Sequence, residues 1–216
     1  MLVEIWSDVV CPWCYLGSHR LQQALSTFEH AAEVEVRYRA FELDATATSD
    51  GTPTVDVLAT KYRMTPDAAQ QAQRDMTKRA AADGLTFRMD ELVTGNTRDA
   101  HRLLQWAADS AEQGRQAELA EALYRAYFTE ERSVFDHESL VAIAAEQGFD
   151  ADAARAVLAG DDYADAVETE EETARDIGVQ GVPFFVFDRK FAVAGAQPAE
   201  VLRSALTQAH EAGRAG

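Results

Sequence analysis

At 216 residues, with 47% hydrophobic and 26% charged side chains, the chain is long enough to bury about 70% of its unfolded surface, as one large domain or two small ones, and apolar residues recur along all of it, which excludes a disordered chain. Its 37 acidic and 20 basic residues leave a formal charge of −17, which excludes nonspecific nucleic-acid or anionic-membrane binding as a default role, because both need a basic surface. Two cysteines are too few for a disulfide-stapled secreted scaffold.

The first residues, Met-Leu-Val-Glu-Ile-Trp-Ser-Asp, alternate and carry Glu4 and Asp8. They do not match a leader, which needs a basic start and an apolar run, and no stretch approaches the roughly 20 apolar residues of a membrane span. The expected compartment is the cytoplasm, where a disulfide is usually transient and catalytic. Leu2 to Ser7 reads as a strand. Cys11-Pro12-Trp13-Cys14 follows, and from Tyr15 the period changes: Leu16, Leu21, Leu25 and Phe28 predict a helix ending near His30, with Pro12 suited to its first turn. Val34 to Leu43 alternates again and predicts a second strand, completing a βαβ unit.

Asp44 to Thr54 is polar and turn-rich, the best boundary in the chain. From Val55 to about Ile177 the pattern is helical. Val55 to Tyr62 is one short helix. A second, capped at Thr65 with Pro66 in its first turn, runs to about Asp83. Leu85 to Phe87 is expected to be extended. Helices follow over Thr97 to Gln113 and Arg115 to Phe128, then after caps at Asp136 and Asp150, and from near Asp162 toward Ile177. The acidic run Glu168 to Glu172 reads most simply as a solvated helix face. Gly178 to Pro183 is a loop. Phe184 to Phe187 and Phe191 to Ala194 form a hairpin about the turn Asp188-Arg189-Lys190, and a terminal helix opens at Pro198.

The Cys11–Cys14 spacing puts both sulfurs on one side of a helix start, close enough for a small disulfide ring. Cys11 at the N-terminus would have its thiolate favoured by unpaired N–H groups and the helix dipole, and Cys14 one turn on would resolve a mixed disulfide. A zinc site would need two further ligands, and His19, His30, His101, His137 and His210 show no paired spacing, so no metal is expected. Two buried cysteines without a role are the bland alternative. Pro183 read alone is a trans strand opener. Read with the cysteine pair upstream and the hairpin after it, a cis bond is the better expectation, turning the Val182 backbone toward the cysteines to pair with an extended substrate. Asp8 would either tune the thiols or act as a turn aspartate. Trp13 offers an apolar contact to substrate, and Trp106 reads as core.

Three ordered segments carry a resemblance over essentially the whole chain: Ser7-Asp8-Val9-Val10-Cys11-Pro12-Trp13-Cys14-Tyr15-Leu16-Gly17; Asn96-Thr97 through Ala100-His101-Arg102-Leu103 to Trp106-Ala107; and Gly178 through Phe185 with Gly195-Ala196-Gln197. The sequence resembles the DsbA-type thioredoxin-fold oxidoreductases, most closely the FrnE-like subgroup. The resemblance implies an α/β thioredoxin fold, residues 1–45 and 178–216, interrupted by an all-helical insertion, residues 46–177. It also implies a Cys11–Cys14 redox disulfide with Pro12, Trp13 and Asp8 in support, and a cis Val182–Pro183 bond. Asn96 and His101 would lie on the substrate side of the insertion. Substrates would be thiols or disulfides of proteins or small molecules, with no nucleic acid or membrane partner and a monomer or homodimer as the working unit. No cofactor is implied beyond the cysteine pair. The related 2-hydroxychromene-2-carboxylate isomerases and kappa-class glutathione transferases would add a low-molecular-weight thiol cosubstrate. They typically carry serine where Cys11 stands, so the pair Cys11 and Cys14 favours dithiol chemistry. Some FrnE-like proteins have a second cysteine pair near the C-terminus, and this chain has none.

Lysine occurs only at Lys61, Lys78 and Lys190, and acids are spread over many segments. That texture resembles proteins of salt-loving organisms, where screening over about 3 Å at 1 M salt removes much of the self-repulsion; a merely acidic protein from a GC-rich genome is the alternative. The saline reading expects the midpoint of thermal unfolding to fall as salt is diluted from about 3 M toward zero. A midpoint that does not move rejects it.

Overall fold

The alternating first segment becomes β1 (Leu2–Ser7), the strand around which the sheet is arranged. The protein is described here by a computed structural model covering residues 1–109 and 114–214. β1 pairs in parallel with β2 (Glu35–Ala40) and antiparallel with β3 (Phe184–Phe187), and β3 pairs with β4 (Phe191–Ala194), giving the order β2-β1-β3-β4. Parallel neighbours need a crossover. It is supplied by α1 (Pro12–Ser26) and a 3-10 turn, Ala31–Glu33.

Strand periodicity sorts the apolar residues onto two faces. Val3, Ile5, Phe185 and Phe187 join Leu16 and Leu21 of α1 and Leu202 and Leu206 of the terminal helix in one core. Trp6, Phe184 and Val186 point the other way, against Ala174 and Val179. Between β2 and β3 lie α2 (Thr54–Lys61), α3 (Pro66–Ala82), α4 (Arg98–Ala108), α5 (Arg115–Phe128), α6 (His137–Glu146), α7 (Ala151–Ala159) and α8 (Ala164–Asp176), and α9 (Ala199–Arg214) closes the chain. The caps act as their residue types dictate: Thr65, Asp136 and Asp150 each accept a backbone N–H three residues on. The main core continues without a break from the sheet into these helices through Leu103, Leu119, Leu123 and Leu140.

β2 is an edge strand, yet its outer edge is covered by helical side chains, which removes a pairing hazard. The buried Gln116 amide of α5 accepts the Tyr38 N–H at 2.9 Å and donates to the Tyr38 carbonyl at 2.9 Å. Glu170 of α8 accepts the Ala40 N–H at 2.7 Å.

The structure departs from the sequence expectations at several ends. α1 stops at Ser26, four residues before His30, with Thr27 closing its last turn. β2 stops at Ala40 because its register ends with the Ser7↔Ala40 pair; beyond it the N–H groups of Glu42 and Leu43 go to the side chains of Glu171 and Asp8. Residues Leu85 to Phe87 join no ladder, and Leu85 and Phe87 fill the core from a loop. The acidic run is not wholly solvated: Glu168 and Glu172 are exposed, but Glu170 is buried. The expected continuation of the fourth helix to Gln113 lies outside the described residues.

α1 passes unusually close to the segment entering β3. A Cβ placed on Gly17 would lie 2.9 Å from Pro183 Cγ and 3.2 Å from the Phe185 ring. Alanine in place of a helical glycine ordinarily gains about 1 kcal/mol, whereas overpacking a core costs about 1–3 kcal/mol. Gly17→Ala is therefore expected to be destabilising by about 1 kcal/mol in urea unfolding. A stabilised variant would show that the Pro183 segment gives way freely.

Candidate active site

The site is built at the carboxyl end of β1. The chain leaves the sheet at Ser7, turns through buried Asp8 and Val9, and starts α1 with Cys11 as its N-cap residue and Pro12 in the first turn. The turn is closed by the backbone: Cys11 donates its N–H to the Asp8 carbonyl at 3.1 Å, and Cys14 and Tyr15 donate back to the Cys11 carbonyl at 3.0 and 3.2 Å. Cys11 thus sits where the unpaired N–H groups of a 15-residue helix begin. Both cysteines are buried free thiols. The Val182–Pro183 peptide is cis, and the Cys11 sulfur lies 3.8 Å from the Val182 carbonyl oxygen across 171 positions of sequence.

Cys14 is the better protected thiol. Burial pushes its pKa well above the usual thiol range, the hydrogen bond and charge of Cys11 push it further, the Asp8 backbone amide works the other way, and the Asp8 carboxylate adds to the rise. Next to it Tyr15 stacks on Phe87 at 5.4 Å and on Tyr124 at 5.1 Å between ring centroids. These rings hold the first turn of α1 against the helices.

Beneath the pair lies a buried set of charges. One Asp8 oxygen accepts the Leu43 N–H at 2.7 Å. The other faces His101 Nε2 at 3.4 Å, with both side chains 1% exposed. That contact lacks the geometry of a good hydrogen bond and is an ion pair when His101 is protonated. Burial disfavours the His101 imidazolium, but Asp8, Glu42 and Glu170 outweigh it and raise the His101 pKa above its ordinary value. The Glu42 carboxyl is also raised, by burial first and then by Glu171. Glu170 is tied to Arg39 at 2.6 Å, the Ala40 N–H at 2.7 Å and the Gln105 amide at 2.7 Å. Arg39 in turn holds Glu4 of the central strand at 2.7 Å.

The fold gathers Asp8, Cys11, Pro12, Cys14, His101, Val182 and Pro183 into one neighbourhood. Trp13 is the exposed member at 43%, with the Arg79 guanidinium 5.7 Å from its ring centre. His101, expected on the substrate side, is only 1% exposed and faces Asp8, on a helix packed among α5, α7 and α8. Asn96 is committed to the chain itself: its amide donates to Glu42 Oε2 at 3.2 Å and to the Ala45 carbonyl at 3.1 Å, and its Oδ1 accepts the Arg98 N–H at 3.0 Å. Glu42, Glu170 and Gly17 belong to the site's surroundings: Glu42 went unrecognised in the sequence, Glu170 was expected on a solvated face, and Gly17 stood only as part of the motif that carries the resemblance. Glu170 carried a usable signal, since its spacing from Val167 and Ala174 puts it on their buried face.

No described helix is long and apolar enough to cross a membrane. The model of the DSBA-like thioredoxin domain matches residues 2–207. Among solved structures the chain is similar to a probable DsbA oxidoreductase from Streptomyces coelicolor, at 47% identity and TM-score 0.90, over 98% of this chain and 90% of that one. A 2-hydroxychromene-2-carboxylate isomerase aligns at 19% identity and TM-score 0.73 over 96% and 95% of the two chains. The cytosolic disulfide reductase DsbM of Pseudomonas aeruginosa, solved with GSH, aligns at 17% and 0.65 over 96% and 98%. No curated protein matches the sequence. The two distant likenesses show the fold, a mixed four-stranded sheet with helices inserted before its closing hairpin, and the family match covers nearly the whole length: the chain belongs to the DSBA-like thioredoxin domain family.

Proposed function

We propose that the protein is a thiol:disulfide oxidoreductase in which Cys11 is the nucleophile and Cys14 the resolving thiol. The observation that carries the reading is the contrast between the two thiols: Cys11 caps α1 beside the Val182 carbonyl, while Cys14 is packed behind it and held protonated. From the dithiol form, the Cys11 thiolate attacks a substrate disulfide, forming a Cys11–substrate bond and expelling one substrate thiolate. Cys14 then loses its proton and attacks the Cys11 sulfur, releasing the second thiolate. The protein ends as the Cys11–Cys14 disulfide and the substrate has gained two electrons; the reverse steps oxidise a dithiol. Val182 and Pro183 align an extended substrate by backbone pairing, and Trp13 supplies an exposed apolar contact. The redox unit is formed by residues 1–45 and 178–216, with residues 46–177 as an insertion. The cysteine pair is its only redox group, and the cytoplasm, where such disulfides are transient, is its compartment.

In this scheme His101 is a positioning residue that acts through Asp8. A charged His101 offsets the Asp8 carboxylate and makes a second negative charge on Cys14 less costly. A neutral His101 leaves Asp8 uncompensated.

Cys14→Ser is expected to trap mixed disulfides through Cys11, seen by mass spectrometry, and to lose turnover of an insulin disulfide; Cys11→Ser/Cys14→Ser should trap none. Activity that survives in Cys14→Ser but not in Cys11→Ser would overturn the dithiol cycle in favour of an isomerase or transferase using a low-molecular-weight thiol.

His101→Asn tests the second role. Because the folded His101 pKa is raised above 6.5, its contribution to stability is complete below about pH 6.5 and is lost as pH rises through the folded value. The variant should lack that fall in stability across the window, and its Cys14 resolution step should shift to higher pH. A wild-type pH profile for both quantities in His101→Asn would refute the coupling.

A further inference from the structure

A second cluster of chemistry-bearing side chains lies at the opposite end of α1 from the cysteines. The helix spans 15 residues, so the cluster is about 20 Å from Cys11. His30, just after α1, meets His210 near the end of α9, and both face Glu33. His30 Nδ1 is 3.1 Å from one Glu33 oxygen and His210 Nε2 is 3.3 Å from the other. The two imidazoles stack with centroids 3.9 Å apart. Phe28 meets both edge-on, at 5.8 and 6.0 Å.

We propose that His30, Glu33 and His210 form a binding site for a divalent transition-metal ion of the zinc class. One ligand atom from each residue lies within 4.8 Å of the others. A tetrahedral zinc centre with bonds near 2.0–2.1 Å has ligand–ligand edges of about 3.3 Å; the two imidazole–carboxylate separations, 3.1 and 3.3 Å to different Glu33 oxygens, are near that size, and the rings must turn out of their stack for both nitrogens to aim at one ion. Two imidazoles and a carboxylate are a donor set suited to zinc. With three protein ligands the fourth position is left for water. His30 and His210, though not Glu33, also line a cavity of about 460 Å³ together with Glu29, Glu211, Arg203 and Arg214. The surplus of acids, 37 against 20 bases, favours a cation near the surface. The ion would join the segment leaving α1 to the last turns of α9 and so clamp the terminal helix. The site does not depend on the redox reading, since it shares no residue with it.

The test uses full-length protein without a histidine tag, carrying Cys11→Ser/Cys14→Ser so that no thiol competes for metal. Titration with zinc chloride in a calorimeter should give one ion per chain with a dissociation constant in the micromolar range or below. Zinc should also raise the thermal midpoint. His30→Ala and His210→Ala should each weaken binding by at least about tenfold and abolish the thermal shift. In the unsubstituted histidine background, zinc should protect His30 and His210, and not His19 or His137, from diethylpyrocarbonate as read by mass spectrometry. Binding weaker than millimolar, binding untouched by either substitution, or equal modification of all four histidines with and without zinc would overturn the proposal and leave a triad held by protons alone.

Discussion

β1 is hydrogen-bonded along both edges, and the placement of every group around the cysteines depends on that. Its register ends at Ser7↔Ala40 on one side and Trp6↔Phe184 on the other. The first register fixes where β2 stops and delivers the Leu43 N–H to Asp8. The second fixes where β3 starts, so Pro183 and Val182 must stand beside the turn that follows Ser7. A slip of one residue would move every side chain to the other face and separate Cys11 from Val182. The closeness of α1 to this junction, with room for no more than a hydrogen on Gly17 facing Pro183, is the packing counterpart of the same constraint.

The charges under the sheet follow a different logic. Taking a carboxylate out of water costs several kcal/mol unless it is paired and hydrogen-bonded. Glu4 in the central strand meets that condition through Arg39 and Arg189, which outweigh its burial and lower its pKa. Glu170 meets it through Arg39, a backbone N–H and an amide. Asp8 and His101 meet it less completely, since one oxygen and one ring nitrogen face each other without a well-formed hydrogen bond. The fully paired groups hold β2 against α8. The less fully paired groups are those that adjoin the thiols, where a change of protonation has the fewest partners to resist it.

What was legible in the sequence was what neighbouring residues determine. Alternation and β-forming residues located β1 and β2, two short apolar runs about a turn located β3 and β4, the helix period located the helices, and Thr65, Asp136 and Asp150 marked their starts because a cap is a local hydrogen bond. Cys11, Cys14 and Pro183 stood out because each has few ordinary uses in its context. What went unread depends on contacts made across the fold. The end of β2 is set by the length of β1, and Leu85 and Phe87 fill a core that no local pattern reveals. His101 was expected on a substrate face because the resemblance assigns its segment to the substrate side of the insertion, and only the packing of α4 among α5, α7 and α8 shows it buried. His30 and His210 have no sequence spacing that suggests a pair. They meet because α1 and α9 lie side by side on one face of the sheet.

The two populations of charge in this molecule respond to solvent in different ways. Salt screens exposed charges over a Debye length of about 8 Å at physiological strength, and buried pairs far less. Most of the acidic surplus lies on exposed positions such as Glu168 and Glu172, so its mutual repulsion is set by the medium. Asp8, His101 and Glu170 are each less than a tenth exposed, and their mutual energies are set by the fold. The burial that pushes the Cys14 pKa up therefore also leaves the charges around it less open to screening by salt than those on the surface.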